Sequence, residues 1–354
     1  MPSARPGGTV VFSKILIRAA NWVGDAVMSL PAIRTVHARF PAAELVVLAR
    51  PWVADLYARE TGISRVIPYD AAPGFHDLSA KLRLARSLRR EKFDCAILLQ
   101  NAFEAAAVAR LAGIPRRIGY ARDGRGLLLT DAIPVPRAGE IPRHERFYYM
   151  EMLRRAGLVE YIPSSDAIRL EGADAARAGG IARLAQLKIA PPVVGVSPGA
   201  AYGTAKRWLP ERFAEAAVET ARARGGSVVF FGSAGERELC EAVAEIVGQA
   251  GVAAHNLAGN TTLREFIELA AACRVFLTND SGAMHIASAL GVPTVAVFGA
   301  TDDSATGPTG ALARVVREPV ECSPCLLRAC PIDHRCMTRV QAARVAEVAL
   351  ELLR

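Results

Sequence analysis

The sequence predicts an α/β protein made of two domains, each built around a mostly parallel β-sheet. Continuous apolar runs of strand length alternate with helical segments, which is the pattern of sheets covered by helices on both faces. The alternation loosens at about residues 160–190, where we expect an interdomain connection, and starts again at Val193. A chain of 354 residues is also too long for one ordinary hydrophobic core. We therefore expect domains at 10–165 and 190–336, followed by a final helical segment at 337–354.

The first half of the chain predicts five strands with helices between them. The expected strands are 10–18, 44–49, 66–69, 94–99 and 116–120. The first helix is expected at about 26–40, where Pro31 should either mark the first turn or kink the helix. The other expected helices are at about 51–60, 77–91, 103–112 and 143–157. Strands separated in this way should be parallel and joined by right-handed crossovers.

The second half predicts another set of the same kind. Its expected strands are 193–197, 227–231, 275–277, 294–298 and 313–317. Its expected helices are 210–224, 236–248, 263–273 and about 338–353, with one more at 173–187 inside the connecting segment. The organisation is therefore that of two nucleotide-binding-like halves in series.

The chain carries a formal net charge of +8, and nearly all of its positive charge is arginine. This balance indicates an anionic partner such as nucleic acid, a phosphorylated sugar or an acidic lipid surface, although an arginine-rich genome would produce the same bias. Residues 1–9 lack the apolar core of a signal peptide, and no apolar run approaches the ~18 residues that cross a membrane. Seven cysteines in a chain of this length are not the framework of a secreted disulfide-rich domain. We therefore expect a cytoplasmic protein.

A polar turn between two buried strands, at residues 279–285, is the strongest candidate for a ligand site. Asp280 or Ser281 can cap the short helix that follows, and Gly282 allows a ligand to approach the backbone. The unpaired N–H groups at the start of such a helix favour an anion, above all a diphosphate. His285 lies about one turn into the helix, where it is either a ligand contact or a buried core histidine. A plain capped helix in a βαβ unit remains the alternative.

Three charged residues are candidates for chemistry. Asp25 follows the first strand, at the sheet edge where open α/β sheets bind ligands. Its place in the first turn of a helix should depress its pKa, although an acid that only complements the helix dipole would look the same. Lys206 can place a cation beside a leaving diphosphate, although most lysines are simply solvated. Glu236 follows the second strand of its half, where an acid often binds ribose hydroxyls or merely begins a helix.

Several familiar motifs are missing from the sequence. Neither first strand is followed by GxGxxG, so the fingerprint of a nicotinamide-dependent oxidoreductase is absent. The loop before Lys206 is not a P-loop, and no HExxH or GxSxG motif occurs. A nucleic-acid-binding module would explain the basic charge and the clustered cysteines, but not the polar turns.

Three stretches in series carry a family resemblance. They are 21–31 (NWVGDAVMSLP), 198–211 (with Lys206-Arg-Trp-Leu-Pro-Glu211) and 279–285 (NDSGAMH). In this order they resemble the ADP-heptose:lipopolysaccharide heptosyltransferases of glycosyltransferase family nine. The form of the first stretch is most similar to that of the enzymes that add the second heptose of the inner core, although the sequence leaves first or second heptose open.

The resemblance implies a GT-B fold, in which two Rossmann-like domains face each other across a cleft and the last helix returns to the N-terminal domain. It implies an inverting transfer of L-glycero-D-manno-heptose from ADP-heptose to a Kdo-lipid A type acceptor, without metal or cofactor and without nucleic acid. The enzyme would then work at the cytoplasmic face of the inner membrane as a peripheral protein. By the same resemblance Asp25 is the general base, and Lys206 with the turn from Asp280 to His285 holds the donor diphosphate.

Other site residues also follow from the resemblance. Glu236 is similar to the ribose-binding acid of the family. Some relatives carry two threonines where this chain has Ala201 and Tyr202, so Thr204 is our candidate for the missing hydroxyl contact. Asn21, Arg122 and Arg143 are our candidates for the acceptor. Basic residues concentrate in the N-terminal half, as either a solvated helix face or a surface for an anionic lipid-linked acceptor.

Four cysteines cluster near the end of the chain as C-x2-C-x4-C-x5-C. They are Cys322, Cys325, Cys330 and Cys336, and we expect them to lie close together. Reduced thiols at this spacing allow a structural zinc ion, or form a loop of thiols without metal.

Overall fold

A computed structural model describes residues 11–72, 76–162 and 167–354. The contacts divide the chain into two compact units. The first contains the described residues up to Asn21, Ser29–Ile141 and Arg146–Ile162, and the second contains Trp22–Met28, Pro142–Glu145 and the described residues from 167 onward. The expected first-domain limits, residues 10 and 165, lie outside the described residues.

The first unit is built on a six-stranded parallel sheet with the order β3-β2-β1-β4-β5-β6. Its strands are β1 (Lys14–Arg18), β2 (Glu44–Ala49), β3 (Arg65–Pro68), β4 (Cys95–Leu98), β5 (Arg116–Tyr120) and β6 (Asp131–Ile133). The helices of this part of the chain are α1 (Val23–Arg39), α2 (Pro51–Tyr57), α3 (Leu78–Arg90), α4 (Phe103–Leu111) and α5 (Arg146–Arg155). Each expected strand and helix has a counterpart, although β1 begins at Lys14 and residues 11–13 of the strand expected at 10–18 are not part of it. The short edge strand β6 was not predicted.

The first helix begins three residues earlier than expected, so that Pro31 lies in the interior of α1. Trp22 accepts the first helical hydrogen bond, from the amide of Ala26 to its carbonyl at 2.8 Å. Asp25 therefore lies in the first turn, as predicted.

The second unit is built on a six-stranded parallel sheet with the order β12-β11-β10-β7-β8-β9. Its strands are β7 (Val193–Ser197), β8 (Ser227–Phe230), β9 (Ala254–Asn256), β10 (Val275–Asn279), β11 (Thr294–Val297) and β12 (Ala313–Val316). Its helices are α6 (Ala173–Gln186), α7 (Pro210–Arg224), α8 (Arg237–Gln249), α9 (Leu263–Ala272), α10 (Gly282–Ala289), α11 (Asp303–Thr306), α12 (Arg335–Thr338) and α13 (Ala342–Glu351). The short strand β9 and the short helices α11 and α12 were not predicted from the sequence.

The two sheets share one strand order when each is numbered from its own first strand, namely 3-2-1-4-5-6. In such a sheet the chain changes direction between the first and fourth strands, and the crevice beyond their carboxyl ends is where ligands bind. In the second unit these strands are β7 and β10, which pair in parallel from Val194↔Val275 to Ser197↔Thr278. The segments that follow β7 and β10 are those with Lys206 and with Asp280.

The helix expected at 173–187 inside the connecting segment is present as α6. Helix α6 belongs to the second unit and packs closely against α9. A Cβ at Gly180 would lie 1.9 Å from the carbonyl oxygen of Glu268, so this close contact requires glycine. Arg183 adds an ion pair to the Glu268 carboxylate at 2.6 Å. About half of the expected connection is therefore a helix packed on the second unit.

The last helix is also placed differently from the expectation that it returns to the N-terminal domain. Helix α13 belongs to the second unit and packs against α7. Its apolar stripe, including Val345 and Ala349, is fully buried in the same core cluster as Phe213 and Ala217 of α7. None of the helices in the described ranges is long and apolar enough to cross a membrane.

Candidate functional site

The turn after β10 divides its two polar residues between two tasks. Ser281 caps α10, because its hydroxyl accepts from the amide of Met284 at 3.4 Å. Asp280 points elsewhere: its Oδ2 accepts from Lys206 Nζ at 2.6 Å and from the Thr301 hydroxyl at 2.7 Å. With only 5% of its surface exposed, Asp280 is a buried carboxylate with both a cation and a hydroxyl as partners.

The loop after β7 is fastened to the end of β10 by one side chain. The Asn279 amide donates to the Pro198 carbonyl at 2.7 Å and accepts from the Trp208 amide at 2.9 Å. A 3₁₀ turn over Thr204–Lys206 then directs Lys206 towards Asp280. The lysine ammonium lies 5.0 Å from the centre of the Tyr202 ring, a cation–π contact. Lys206 is thus held in place from two sides.

The cysteine-rich segment, residues 322–336, forms hydrogen bonds with this loop. The Tyr202 hydroxyl donates to the Leu326 carbonyl at 2.8 Å, and the Ala205 amide donates to the Arg328 carbonyl at 3.0 Å. His334 Nε2 lies 2.9 Å from the Ala205 carbonyl and must be its protonated nitrogen, since a carbonyl can only accept. The segment therefore positions the loop that carries Lys206 through hydrogen bonds that each involve a backbone carbonyl.

The start of α1 packs directly on the start of α10 within the second unit. A Cβ at Gly24 would lie 2.9 Å from His285 Cδ2, and a Cβ at Gly282 would lie 2.7 Å from Val23 Cβ. Contacts this close require glycine at both positions. They bring Asp25 to the same place as Lys206 and the first turn of α10.

The pKa of Asp25 differs from the sequence-based prediction, which was wrong in direction. Burial raises the pKa of Asp25 to about 6, and the nearby Lys206 charge offsets this only in part. The shift is upward because removing the carboxylate from water raises its pKa by more than its place in the first turn of the helix lowers it. Asp25 is therefore a stronger base than an ordinary aspartate, and still mostly ionised near neutral pH.

His285 is buried and uncharged at neutral pH. Burial lowers the pKa of His285 to about 4. Asp280 opposes this shift, and interactions with His144 and Lys206 reinforce it. The imidazole therefore contributes shape, and no positive charge, to the site.

One cavity of about 430 Å³, a size typical of small-molecule sites, is lined by Asp25, Lys206, Asp280 and His285. All of its lining residues belong to the second unit. Among the sequence-predicted site residues, it brings together Asp25, Lys206, Asp280, Ser281, Gly282 and His285. A base of near-neutral pKa, a cation and a helix N-terminus in one cavity can deprotonate a hydroxyl and stabilise a leaving anion.

Two predicted donor residues do not line this cavity. Thr204 is exposed at the start of its 3₁₀ turn. Glu236 forms a capping box in which its Oε2 accepts from the amide and hydroxyl of Ser233, both at 2.8 Å. Its other oxygen would lie 2.0 Å from a Cβ at Gly199, so the carboxylate rests against the loop that leads to Lys206.

The three predicted acceptor residues occupy separate environments. Asn21 belongs to the first unit, where its side chain accepts from Arg18 at 2.9 Å. Arg122 is an exposed residue of the same unit, 3.5 Å from Asp123. Arg143 belongs to the second unit and forms an ion pair with Asp302 at 2.9 Å.

The four clustered cysteines are reduced and differ in exposure, from exposed Cys322 to buried Cys336. Burial raises the pKa of Cys336, and the thiols of Cys322, Cys325 and Cys330 add to this effect, so the four share one neighbourhood, as predicted. Among the described residues, however, no group of three or more His, Cys, Asp or Glu side chains is arranged to hold a metal ion. The zinc alternative therefore has no ligand set in this structure.

Two further residues at the site were not predicted. Tyr202 was noted only as a replacement for a threonine, yet it lines the cavity and contacts Lys206. Thr301 gave no signal, because it lies 21 residues after Asp280 in a loop without a recognisable motif.

The chain is similar to proteins of a known family. The model of glycosyltransferase family 9 (heptosyltransferase) matches residues 81–335. The chain is 34% identical over 310 residues to lipopolysaccharide heptosyltransferase 2 of Salmonella typhimurium, covering 86% of this chain and 88% of that protein. It is 25% identical over 360 residues to lipopolysaccharide heptosyltransferase 1 of Pseudomonas aeruginosa, covering 94% of this chain and 96% of that protein.

Among solved structures, the chain resembles ADP-heptose LPS heptosyltransferase II of E. coli. The TM-score is 0.80 at 30% identity, covering 96% of this chain and 98% of that one. The two parallel sheets and this neighbour confirm the predicted α/β class and GT-B type. On the family model and on the identity to its relatives, the chain belongs to glycosyltransferase family 9.

Proposed function

We propose that this enzyme transfers L-glycero-D-manno-heptose from ADP-heptose to the inner core of lipopolysaccharide, with inversion at the anomeric carbon. The observation that carries the proposal is the cavity that combines Asp25, Lys206 and the N-terminus of α10. Its chemistry matches a reaction that needs one base and one stabilised leaving diphosphate. The relatives' names supply the identity of the sugar and of the acceptor.

The donor diphosphate would lie between Lys206 and the first turn of α10. The ammonium and the backbone N–H groups at this helix start offer positive charge where the departing ADP gains negative charge. Asp280 fixes the ammonium at 2.6 Å and Thr301 fixes Asp280 in turn, so the lysine is oriented before the donor arrives. Glu236 and Thr204 are our candidates for the ribose and for a further hydroxyl contact.

Asp25 would take the proton of the acceptor hydroxyl as that oxygen attacks the anomeric carbon. The bond to ADP breaks on the opposite face of the sugar, so one displacement inverts the configuration. A pKa of about 6 gives Asp25 enough basicity for this step while it remains ionised near neutral pH. The developing positive charge on the sugar makes the attacking hydroxyl acidic, and the transfer of its proton is coupled to the departure of ADP.

The acceptor would be a Kdo-lipid A type molecule that already carries one heptose. The higher identity to a heptosyltransferase 2 than to a heptosyltransferase 1 supports the second heptose. Asn21, Arg122 and Arg143 are proposed to contact its core sugars and anionic groups. A lipid-linked acceptor of this kind implies peripheral association with the cytoplasmic face of the inner membrane.

The test is mass spectrometry of two truncated acceptors after incubation with ADP-heptose. One acceptor ends in Kdo and the other in a single heptose. We expect one heptose to be added to the second acceptor and little to the first. Addition only to the Kdo-terminated acceptor would assign the first heptose, and addition to neither would refute the proposed function.

A further inference from the structure

An exposed apolar groove lies between α3 and α4 of the first unit. Four large apolar side chains line it while remaining exposed: Leu78 (57%), Leu82 (39%), Phe103 (42%) and Leu111 (51%). The cavity between them measures about 290 Å³. Isolated exposed leucines are ordinary, but four around one hollow form a patch of the kind that marks a binding surface. We call this feature the α3–α4 groove.

The rim of the α3–α4 groove is positively charged. Helix α3 carries five basic residues and no acidic one within Leu78–Arg90. Helical geometry places Arg86, Arg90 and Arg83 on the face next to Leu78 and Leu82, and all three arginines are exposed. The helix is therefore amphipathic in an unusual way, since one side packs on the unit and the other presents leucines beside arginines.

The acids near the groove are already engaged. Glu91 binds Lys14 and Arg65, both at 2.8 Å, and Asp77 caps α3 through the amide of Ala80 at 3.2 Å. At the base of the groove Glu104 pairs with Lys81 at 3.2 Å, and both side chains are largely buried. Glu104 also lies 3.8 Å from Arg50, so its charge is fully compensated at the base of the groove, and it does not offset the arginines of the rim.

We propose that the α3–α4 groove is a docking surface for an anionic lipid bilayer. The leucines and Phe103 would enter the boundary between headgroups and acyl chains, and the arginines would contact lipid phosphates. The inference rests on the proposed function, which requires the enzyme to meet a lipid-linked acceptor. A second copy of this chain is a poorer occupant, because a symmetric contact through the same face would bring two arginine rims together.

The test is flotation of the full-length protein with phosphatidylcholine vesicles, with and without phosphatidylglycerol. Wild type should float with the mixed vesicles and less with the neutral ones. The double variant Leu78→Glu/Leu82→Glu should bind mixed vesicles at least ~10-fold more weakly. Each of Arg83→Gln and Arg86→Gln should weaken binding about 5-fold, and added salt should remove that difference. Ile181→Glu, at an exposed position of α6, is the matched control and should bind as wild type does.

A second measurement separates this inference from the proposed function. Each variant is assayed with a deacylated, water-soluble acceptor at saturating concentration. Because Asn21, a proposed acceptor contact, also lines the groove, the comparison uses kcat, which Leu78→Glu/Leu82→Glu should leave at the wild-type value. If the groove variants bind vesicles as well as wild type does, the proposed docking surface is wrong. It is also wrong if wild-type protein does not bind anionic vesicles. A change from dimer to monomer in sedimentation, with vesicle binding unchanged, would assign the groove to self-association and also overturn the inference. If wild-type protein transfers no heptose to the soluble acceptor, the proposed function alone is refuted.

Discussion

The raised pKa of Asp25 predicts an acidic limb in the pH dependence of heptose transfer. Only the ionised carboxylate can accept the hydroxyl proton, so kcat/KM should follow the ionised fraction. With a pKa of about 6, this fraction is about one tenth at about pH 5 and about nine tenths at about pH 7. At the ordinary value of 3.8, Asp25 would stay almost fully ionised at both. The structure therefore predicts a roughly 10-fold fall in kcat/KM between these two pH values.

His285, which lines the same cavity, cannot produce this limb. Burial lowers the pKa of His285 to about 4, so its protonation belongs to a lower pH range than that of Asp25. Lys206 lowers the pKa of Asp25, so Lys206→Ala should move the limb of the residual activity to higher pH, while Lys206→Arg should leave it near 6.

The assay is kcat/KM for the acceptor, measured at saturating ADP-heptose and constant ionic strength. Circular dichroism at each pH controls for unfolding. A profile that stays flat down to about pH 5 would refute the argument that burial tunes Asp25 as the base.

Three further predictions concern the same cavity. Because folding raises the pKa of Asp25 from 3.8 to about 6, the charge of Asp25 destabilises the native state above that pH. Asp25→Asn should therefore raise the free energy of unfolding at pH 8 by at most about 3 kcal/mol, and this gain should disappear below about pH 4. Lys206→Ala should lower transfer by about 10²–10³-fold and weaken ADP binding in calorimetry, while chelator-treated wild type keeps its rate; a strict magnesium requirement would contradict this account. Gly24→Ala should cost about 1–3 kcal/mol of stability and most of the activity, because its Cβ would lie 2.9 Å from His285. Gly235→Ala, whose Cβ would have no atom within 4 Å, is the control and should leave stability nearly unchanged. Equal melting temperatures for the two variants would contradict the steric explanation.

The sequence was most informative where periodicity and buried runs decide the structure. The apolar runs that became β1 and β10 predicted both sheets, because central parallel strands are buried on both faces. The short edge strands β6 and β9 were missed, since three residues carry too little pattern. The final helix was assigned to the wrong unit because its apolar stripe indicates that it packs, but not against which partner.

The site was predictable in its residues and less so in its electrostatics. The motifs around Asp25, Lys206 and Asp280 named six residues that share one cavity. The predicted direction of the Asp25 pKa shift was wrong because the burial of Asp25 comes from tertiary contacts, such as the approach of Gly24 to His285. No local sequence rule contains such contacts. Likewise, the support of Lys206 by Tyr202 depends on a segment more than a hundred residues away.

The most direct test of the central claim is Asp25→Asn, which keeps the shape of the side chain and removes the base. Donor affinity is measured by calorimetry with ADP-heptose, and transfer by mass spectrometry of the heptose-terminated acceptor. We expect the donor Kd to change little and turnover to fall ~10²-fold or more. Normal donor binding together with wild-type turnover would contradict the claim, and would leave Asp25 as no more than an acid in the first turn of a helix.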